Sequence, residues 1–387
     1  MALPISYNIR NLRVRWQVTL LAIFGIALVV SVFVTLSAMA NGFRIALRAT
    51  GRVDNAIVVQ KGSQSELTSG IGREPSSVII VDDRVARGSD GQPLASPEVL
   101  VIANLNRKRD GAPTNVSIRG VTARAFTVRG GIKIVSGRAF QPGLYELVVG
   151  ERTADRFGLA VGTKVKLQRR DWEVVGIFAS LGSGFESEVW GDLDAIGPAF
   201  NRTGGYQVIV VRLSAPSQLE ALKKDLEANP QLQVQVSEER AYYDAQAGPV
   251  AAALMGLAGF VSVIMGIGAV FGAMNTMYAI VASRTREVGT LRALGFSRGS
   301  ILFTFVVESV FLAVVGGVIG CVLALPANGI TTATGGANFS EVAFAFRITP
   351  VSLTAGMLFA VAMGFLGGFL PAFRAARLPI TSALREA

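Results

Sequence analysis

Arg284-Thr285-Arg286-Glu287-Val288-Gly289-Thr290-Leu291-Arg292-Ala293-Leu294-Gly295-Phe296-Ser297 is a charged segment set between two long apolar runs. The run before it, 250–282, and the run after it, 301–325, each exceed the roughly 20 apolar residues that cross a bilayer. A link this short cannot hold a domain. It predicts a small helix lying against the membrane face. Val288, Leu291 and Leu294 recur at i, i+3, i+6 and form an apolar stripe. Glu287 among Arg284, Arg286 and Arg292 forms the charged face, and Gly295 ends the helix. Such a helix is suited to receiving a push from a partner protein.

Working outward, runs 18–40 and 353–373 complete four spans, and Glu308 is the charge that interrupts them. Ala38-Met39-Ala40 looks like a signal cleavage site. The apolar run before it is longer than the roughly 7–15 residues of a cleavable core, so it reads as an uncleaved anchor. Arginines mark one side of the membrane: Arg10, Arg13 and Arg15, then Arg284, Arg286, Arg292 and Arg298, then Arg374, Arg377 and Arg385. The loop between the third and fourth spans carries only Arg347. Both termini and the charged link are therefore expected in the cytoplasm, with 41–249 exported. The chain has 37 Lys and Arg against 27 Asp and Glu, a net charge of +10. Topology and anionic lipid explain that basicity better than nucleic acid does.

There is no histidine and one cysteine, Cys321, inside an apolar run. His-based triads, His metal sites and an intrachain disulfide are excluded. The acidic residues are scattered with no spacing that marks a metal or catalytic site.

The predicted fold is an α-helical membrane protein with four transmembrane helices and a mixed α/β, two-lobed periplasmic domain between the first and second spans. The divisions are a cytoplasmic interfacial helix (1–17), the first span (18–40), the periplasmic domain (41–249), the second span (250–282), a coupling segment (283–300), the third span (301–325), a short periplasmic loop (326–352), the fourth span (353–373) and a cytoplasmic tail (374–387). Within the exported region a membrane-proximal lobe (41–113 and 201–249) flanks an inserted lobe (114–200). Strands are expected at 56–60, 78–81, 99–103, 115–119, 132–135, 146–149, 164–168, 172–177, 206–213 and 231–236, and helices at 153–157, 217–228 and 238–247. The order from 206 to 236 suggests a βαβ unit.

Gly268 with Gly272, Gly316 with Gly320, and Gly364 with Gly368 are small-x-x-x-small pairs that allow close helix approach in lipid. Glu308 either couples helices or, lying near the cytoplasmic end of its span, reaches the interface or pairs with an arginine of the link. Phe185, Trp190, Phe200 and Tyr206 read as core, with a docking surface as the alternative.

The link, with Met274-Asn275-Thr276-Met277 before it and Glu308, Gly316-Gly317 and Gly320 after it, resembles the cytoplasmic loop of FtsX-like, MacB-type ABC transporter permeases. Pro371-Ala372-Phe373-Arg374-Ala375-Ala376-Arg377-Leu378 and Ala383-Leu384-Arg385 extend the resemblance. Val135 to Phe140, Leu147 to Gly150 and Trp172 to Gly176 extend it into the exported region. The resemblance implies a second permease copy or paralogue, a periplasmic adaptor protein, and a cytoplasmic ATPase dimer docked on Arg284, Arg286, Glu287, Val288, Leu291, Arg292, Leu294 and Gly295. No G-x-x-x-x-G-K-[ST] run is present, so ATP and Mg are expected on a separate chain and no cofactor on this one. It implies a bacterial inner-membrane protein working by mechanotransmission, with no catalysis of its own. Efflux of a drug, peptide or lipid-like substrate fits the Leu-Arg-Ala-Leu-Gly link. Relatives that activate cell-wall hydrolases, or that extract lipoproteins and share the Asn41-Gly42-Phe43 turn, supply the alternatives.

Overall fold

The computed structural model describes residues 16–335 and 341–379. They divide into a helical unit, drawn from the stretches up to Asn41, Ala253–Ile330 and from Phe346 onward, and an α/β unit, Gly42–Ala252 with Thr331–Ala345. Of the interfacial helix expected over 1–17, residues 1–15 lie outside the described residues, as does Arg385, while Trp16 and Gln17 open the first long helix.

The first helix, α1 (Trp16–Arg48), is unbroken. At 1.5 Å per residue its 33 residues make about 50 Å, more than the hydrocarbon core needs. The α/β unit then runs β1 (Asn55–Gln60), β2 (Ile71–Gly72), α2 (Arg73–Ile80), β3 (Ala95–Asn106), β4 (Pro113–Val121) and α3 (Ala125–Arg129). It continues with β5 (Lys133–Gly137), β6 (Glu146–Gly150), α4 (Glu151–Phe157), β7 (Lys164–Leu167), β8 (Arg170–Ala179), β9 (Glu188–Asp192) and α5 (Leu193–Ala199). It closes with β10 (Gly205–Tyr206), β11 (Val208–Arg212), α6 (Leu219–Ala228) and β12 (Val234–Glu238).

Ten of these strands form one sheet in the order β12-β1-β11-β3-β4-β9-β6-β8-β5, with β7 also on β8. β1 explains the apolar run Ala56 to Val59. Ala56 and Val58 face one core with α6, while Ile57 and Val59 face another with Trp190 and Phe185. Both faces are buried, so the run need not alternate. β11 and β12 each pair antiparallel with β1, which lies between the two parallel arms of the βαβ unit.

One expected strand is a helix. Val78 to Val81 falls at the end of α2. Only Ile79 of the run is fully buried, and Val78 and Val81 stay exposed, so the short apolar stretch makes a one-sided helix. β9 and α5 fill a stretch where no element was expected, and Trp190 on β9 and Phe185 just before it are core, as read from the sequence.

After β12 come α7 (Glu239–Ser283), α8 (Thr285–Ala293) and α9 (Arg298–Ala324). Strands β13 (Thr331–Gly335) and β14 (Glu341–Ala345) form an antiparallel hairpin, and α10 (Pro350–Arg377) follows. The helices α1, α7, α9 with its 3-10 extension, and α10 are long and apolar enough to cross a membrane. The hairpin belongs to the α/β unit, where Arg152 Nη1 donates to the Ala343 carbonyl at 2.5 Å and Phe344 meets Phe43 edge-on. A Cβ on Gly42 would collide with the Ala345 carbonyl oxygen, which accounts for glycine there.

Glycines close the helical unit. A Cβ on Gly316 would sit 2.9 Å from the Ile23 carbonyl oxygen, and one on Gly320 would sit 2.5 Å from that of Ala27, so both press α9 onto α1. Gly364 and Gly368 press α10 onto Ala313 and Ser309, and the Ser309 hydroxyl donates to the Gly364 carbonyl at 2.6 Å. Gly268 and Gly272 differ. Nothing among the described residues comes within 4 Å of a Cβ at either, so the described residues do not supply the packing expected of them.

Candidate functional site

The link between α7 and α9 folds as expected of an amphipathic segment, with one change. α8 starts after Arg284 and carries Val288 into a core with Met277, Ile280, Ile301, Phe305 and Ala372, with Leu291 half-buried against it. Gly289 is buried, while Arg286, Glu287 and Thr290 face outward. Arg292 is half-buried.

The change is Leu294. It caps the helix instead of continuing its stripe, and its side chain is 72% exposed. Gly295 adopts φ +94°, its N–H reaches the Arg292 carbonyl and the Phe296 N–H reaches the Leu291 carbonyl, both at 3.1 Å. This is a Schellman turn, and it carries Leu294 off the buried face.

Arg284 ties α8 to α9. Its Nη1 donates to Glu308 Oε2 at 2.9 Å, and both side chains are nearly fully buried. Its Nε lies 3.8 Å from the exposed Glu287 carboxylate, and the guanidinium sits over the Phe305 ring. Glu308 is thus paired with an arginine of the link, and the pair joins the start of α8 to α9. A carboxylate inside an apolar helix is tolerable with a cation at hand.

A second polar centre lies in the core of the α/β unit, where sequence reasoning found only scattered charge. Arg119 on β4 donates through Nη1 to Glu66 Oε2 at 2.6 Å and Glu98 Oε2 at 2.8 Å. Its Nε and Nη2 grip both oxygens of Glu188 at 2.7 Å. Arg129, the last residue of α3, grips both oxygens of Glu98 and donates through Nη1 to Glu239 at 2.6 Å. The Tyr243 hydroxyl accepts from Arg129 at 3.1 Å and donates to Glu66 at 2.6 Å. The Phe185 ring lies 4.7 Å from Arg129 and 5.5 Å from Arg119, a cation–π seat for both guanidiniums.

Apart from Glu188, at 12%, these charged side chains are no more than 2% exposed. Burial pushes the Glu98 carboxyl up, but Arg129 and Arg119 outweigh it and hold the group below the usual carboxylate range. Burial likewise opposes the charge on Arg119, and Glu188 and Glu66 overcome it. Trp190, Ser96 and Asn55 donate to Glu188, Glu98 and Glu239, so the carboxylates are well satisfied. A space of about 60 Å³ opens beside Arg119, Glu188, Tyr242 and Gln246. The one signal for this centre was a charge embedded in an apolar strand: Glu98 before Val99-Leu100-Val101, and Arg119 after Ile118. Among the described residues no carboxylate and thiol groups cluster in a way that holds a metal ion.

Residues 19–229 match the family model of the MacB-like periplasmic core domain, and residues 259–380 that of the FtsX-like permease C-terminal region. The chain is 40% identical over 116 residues to the pyoverdine export ATP-binding/permease protein PvdT of Pseudomonas fluorescens strain Pf0-1, covering 30% of this chain and 16% of that protein. It is 27% identical over 233 residues to the macrolide export ATP-binding/permease protein MacB of Brucella abortus strain 2308, covering 57% of this chain and 34% of that one. It is 36% identical over 114 residues to the uncharacterized ABC transporter permease YknZ of Bacillus subtilis strain 168, covering 30% and 27%. The chain thus spans well under two thirds of each of these relatives. Among solved structures, the periplasmic region of MacB from Actinobacillus actinomycetemcomitans aligns with TM-score 0.38 at 11% identity, covering 50% of this chain and 91% of that one. The extracellular domain of YknZ aligns with TM-score 0.36 at 16% identity, covering 47% and 99%.

Proposed function

The chain belongs to the permeases that carry a MacB-like periplasmic core domain and an FtsX-like C-terminal region, and on that premise we propose that it is the membrane subunit of an ABC transporter worked from the cytoplasm by a separate ATPase dimer. ATP and Mg bind that dimer. Its closure presses on α8, the second and third spans shift, and the exported domain moves. The termini and α8 face the cytoplasm in this reading, and the α/β unit faces the periplasm. A second permease copy completes the membrane part, and a periplasmic adaptor receives the cargo. The relatives named for macrolide and pyoverdine export support an efflux task.

The observation that carries the reading is the division of labour in α8. Arg284 and Val288 anchor it to α9 and the helix core, while Arg286, Glu287 and Leu294 project outward. An exposed leucine at the end of a helix with outward-facing charges is a docking feature, and the buried anchor passes on any displacement.

Purified by itself in mild detergent, the chain is expected to hydrolyse no ATP. Co-purified from its own cells, it is expected to bring a cytoplasmic ABC ATPase and to hydrolyse ATP. Leu294→Asp or a charge reversal at Glu287 or Arg292 is expected to release the ATPase or uncouple its hydrolysis without unfolding the chain. Full coupled activity in all three variants would sink the assignment of α8. Cross-links from the α/β unit to a membrane-fusion adaptor are the expected outcome, and cross-links to a cell-wall hydrolase would overturn the efflux reading.

A further inference from the structure

The two-arginine, four-glutamate centre of the α/β unit is not placed where stability alone calls for it. Taking an ion out of water costs several kcal/mol, and apolar residues of similar volume commonly do as well or better. What buried ion pairs supply in return is direction. The paired prongs of a guanidinium fix the angle and register of whatever they hold, whereas apolar packing allows side chains to slide.

What this centre holds is the root of α7. Glu239 is the first residue of that helix and Tyr243 lies one turn on. Glu239 receives Arg129 on one oxygen, and the Asn55 side chain and the Arg52 backbone N–H on the other. Tyr243 bridges Arg129 and Glu66. The same two arginines are fixed to β3 through Glu98 and to β9 through Glu188. The end of α1 joins the same root. A Cβ on Gly51 would come within 2.5 Å of the Arg240 backbone, and Arg44 pairs with Asp244 at 3.0 Å. α7 then continues as one helix through the second span to Ser283.

We infer that this buried centre is the joint through which movement of the second span turns the sheet, with Arg129, Glu239 and Tyr243 as its positioning residues and Glu98 and Arg119 as its seat in β3 and β4. The inference rests on the lever reading given above. It adds where the exported domain takes up the motion. Arg129 is locked to Glu98 of β3 by two prongs and holds the helix root through Nη1, so rotation of the root passes to β3 and, through Arg119, to β4, and a root held by apolar contact does not pass it on.

The test uses the full chain in complex with the ATPase that co-purifies with it. Hydrogen–deuterium exchange is compared with and without ATP for the wild type, for Glu98→Leu/Arg129→Met/Glu239→Leu together, and for Glu239→Gln alone. The triple variant removes one cation and two anions, and Arg119 keeps Glu66 and Glu188. The wild type is expected to show an ATP-dependent change in exchange at β3 and β4. The triple variant is expected to lose that change while keeping its melting temperature and hydrolysis rate. Arg129→Lys, which keeps the charge without the two prongs, is expected to fall between. If the triple variant melts early, Glu239→Gln decides on the same readout. An ATP-dependent change that persists undiminished in the variants overturns the joint and leaves the lever standing. Absence of any such change in the wild type overturns both.

Discussion

Arg284 and Arg129 solve one problem in two settings. Arg284 reaches across from the start of α8 to a glutamate within an apolar helix, and the contact is a direct N–H to carboxylate bond. Arg129 sits in a sheet-based core, shares Glu98 with Arg119 and Ser96 and Glu239 with Asn55, and donates to the Tyr243 hydroxyl as well. In hydrocarbon a stray carboxylate has little else to bond, so a nearby cation is enough to fix it. In a water-built domain the same burial is tolerated only when every lone pair finds a donor, and a network results. The difference predicts that the network is the less forgiving of the two.

The sharpest way to break that comparison is to remove one arginine from each. Arg129→Ala leaves Glu239 without its cation and Glu98 with Arg119 as its remaining one, and is expected to destabilise the α/β unit by about 3–5 kcal/mol. Arg284→Ala strands Glu308 alone, a group that can take up a proton, and is expected to cost less. Chemical denaturation of the full chain in detergent, followed in parallel for the two variants, measures both. Equal losses would show that the network has no collective character.

A second contrast lies among the glycines. Gly320→Val pushes into the α1 backbone and is expected to cost about 1–3 kcal/mol. Gly268→Val meets open space and is expected to leave the melting temperature of the isolated chain unchanged. A large loss at Gly268 would mean that its face is covered after all.

The third sharpens the network by pH. The Glu98 carboxyl lies below its ordinary value of 4.5 in the folded chain, so the unfolded state binds the proton more readily. The stability it contributes is fully present above about 4.5 and is lost as pH falls through the lower folded value. Melting of the wild type is therefore expected to decline more steeply below that point than melting of Glu98→Gln. The smallest effect on stability is expected at the surface: Glu287→Arg should change it by less than about 0.5 kcal/mol. Its cost should appear instead in recovery of the ATPase by co-purification.

Some of this was legible in residues alone and some was not, for reasons visible at particular positions. Glu308 stood out because the nine residues before it and the stretch beyond it as far as Glu341 carry no other charge, with the arginines of the link at the near end of the span. Glu98 and Arg119 did not stand out, because an isolated charge in a strand reads as its solvent face. Leu294 was assigned to the buried stripe by spacing alone, and the positive φ of Gly295 redirected it. Val78 to Val81 looked like strand because a short apolar run does not distinguish strand from helix until its neighbours are placed. The first strand of the β13–β14 hairpin was hidden in a run of Thr, Ala and Gly with no apolar alternation to announce it.

By itself, the order of residues determined the four membrane helices, the amphipathic link between the second and third, and a mixed α/β domain after the first. Those follow from run length and periodicity, which are local and need no partner. Only the tertiary structure decided that distant charges converge on the root of α7, that Gly316 and Gly320 find a neighbour where Gly268 and Gly272 do not, and that the last hairpin joins the α/β unit. The physical reason is the same in each case. Burial is a property of what lies across the gap, and a chain read one residue at a time does not contain the other side.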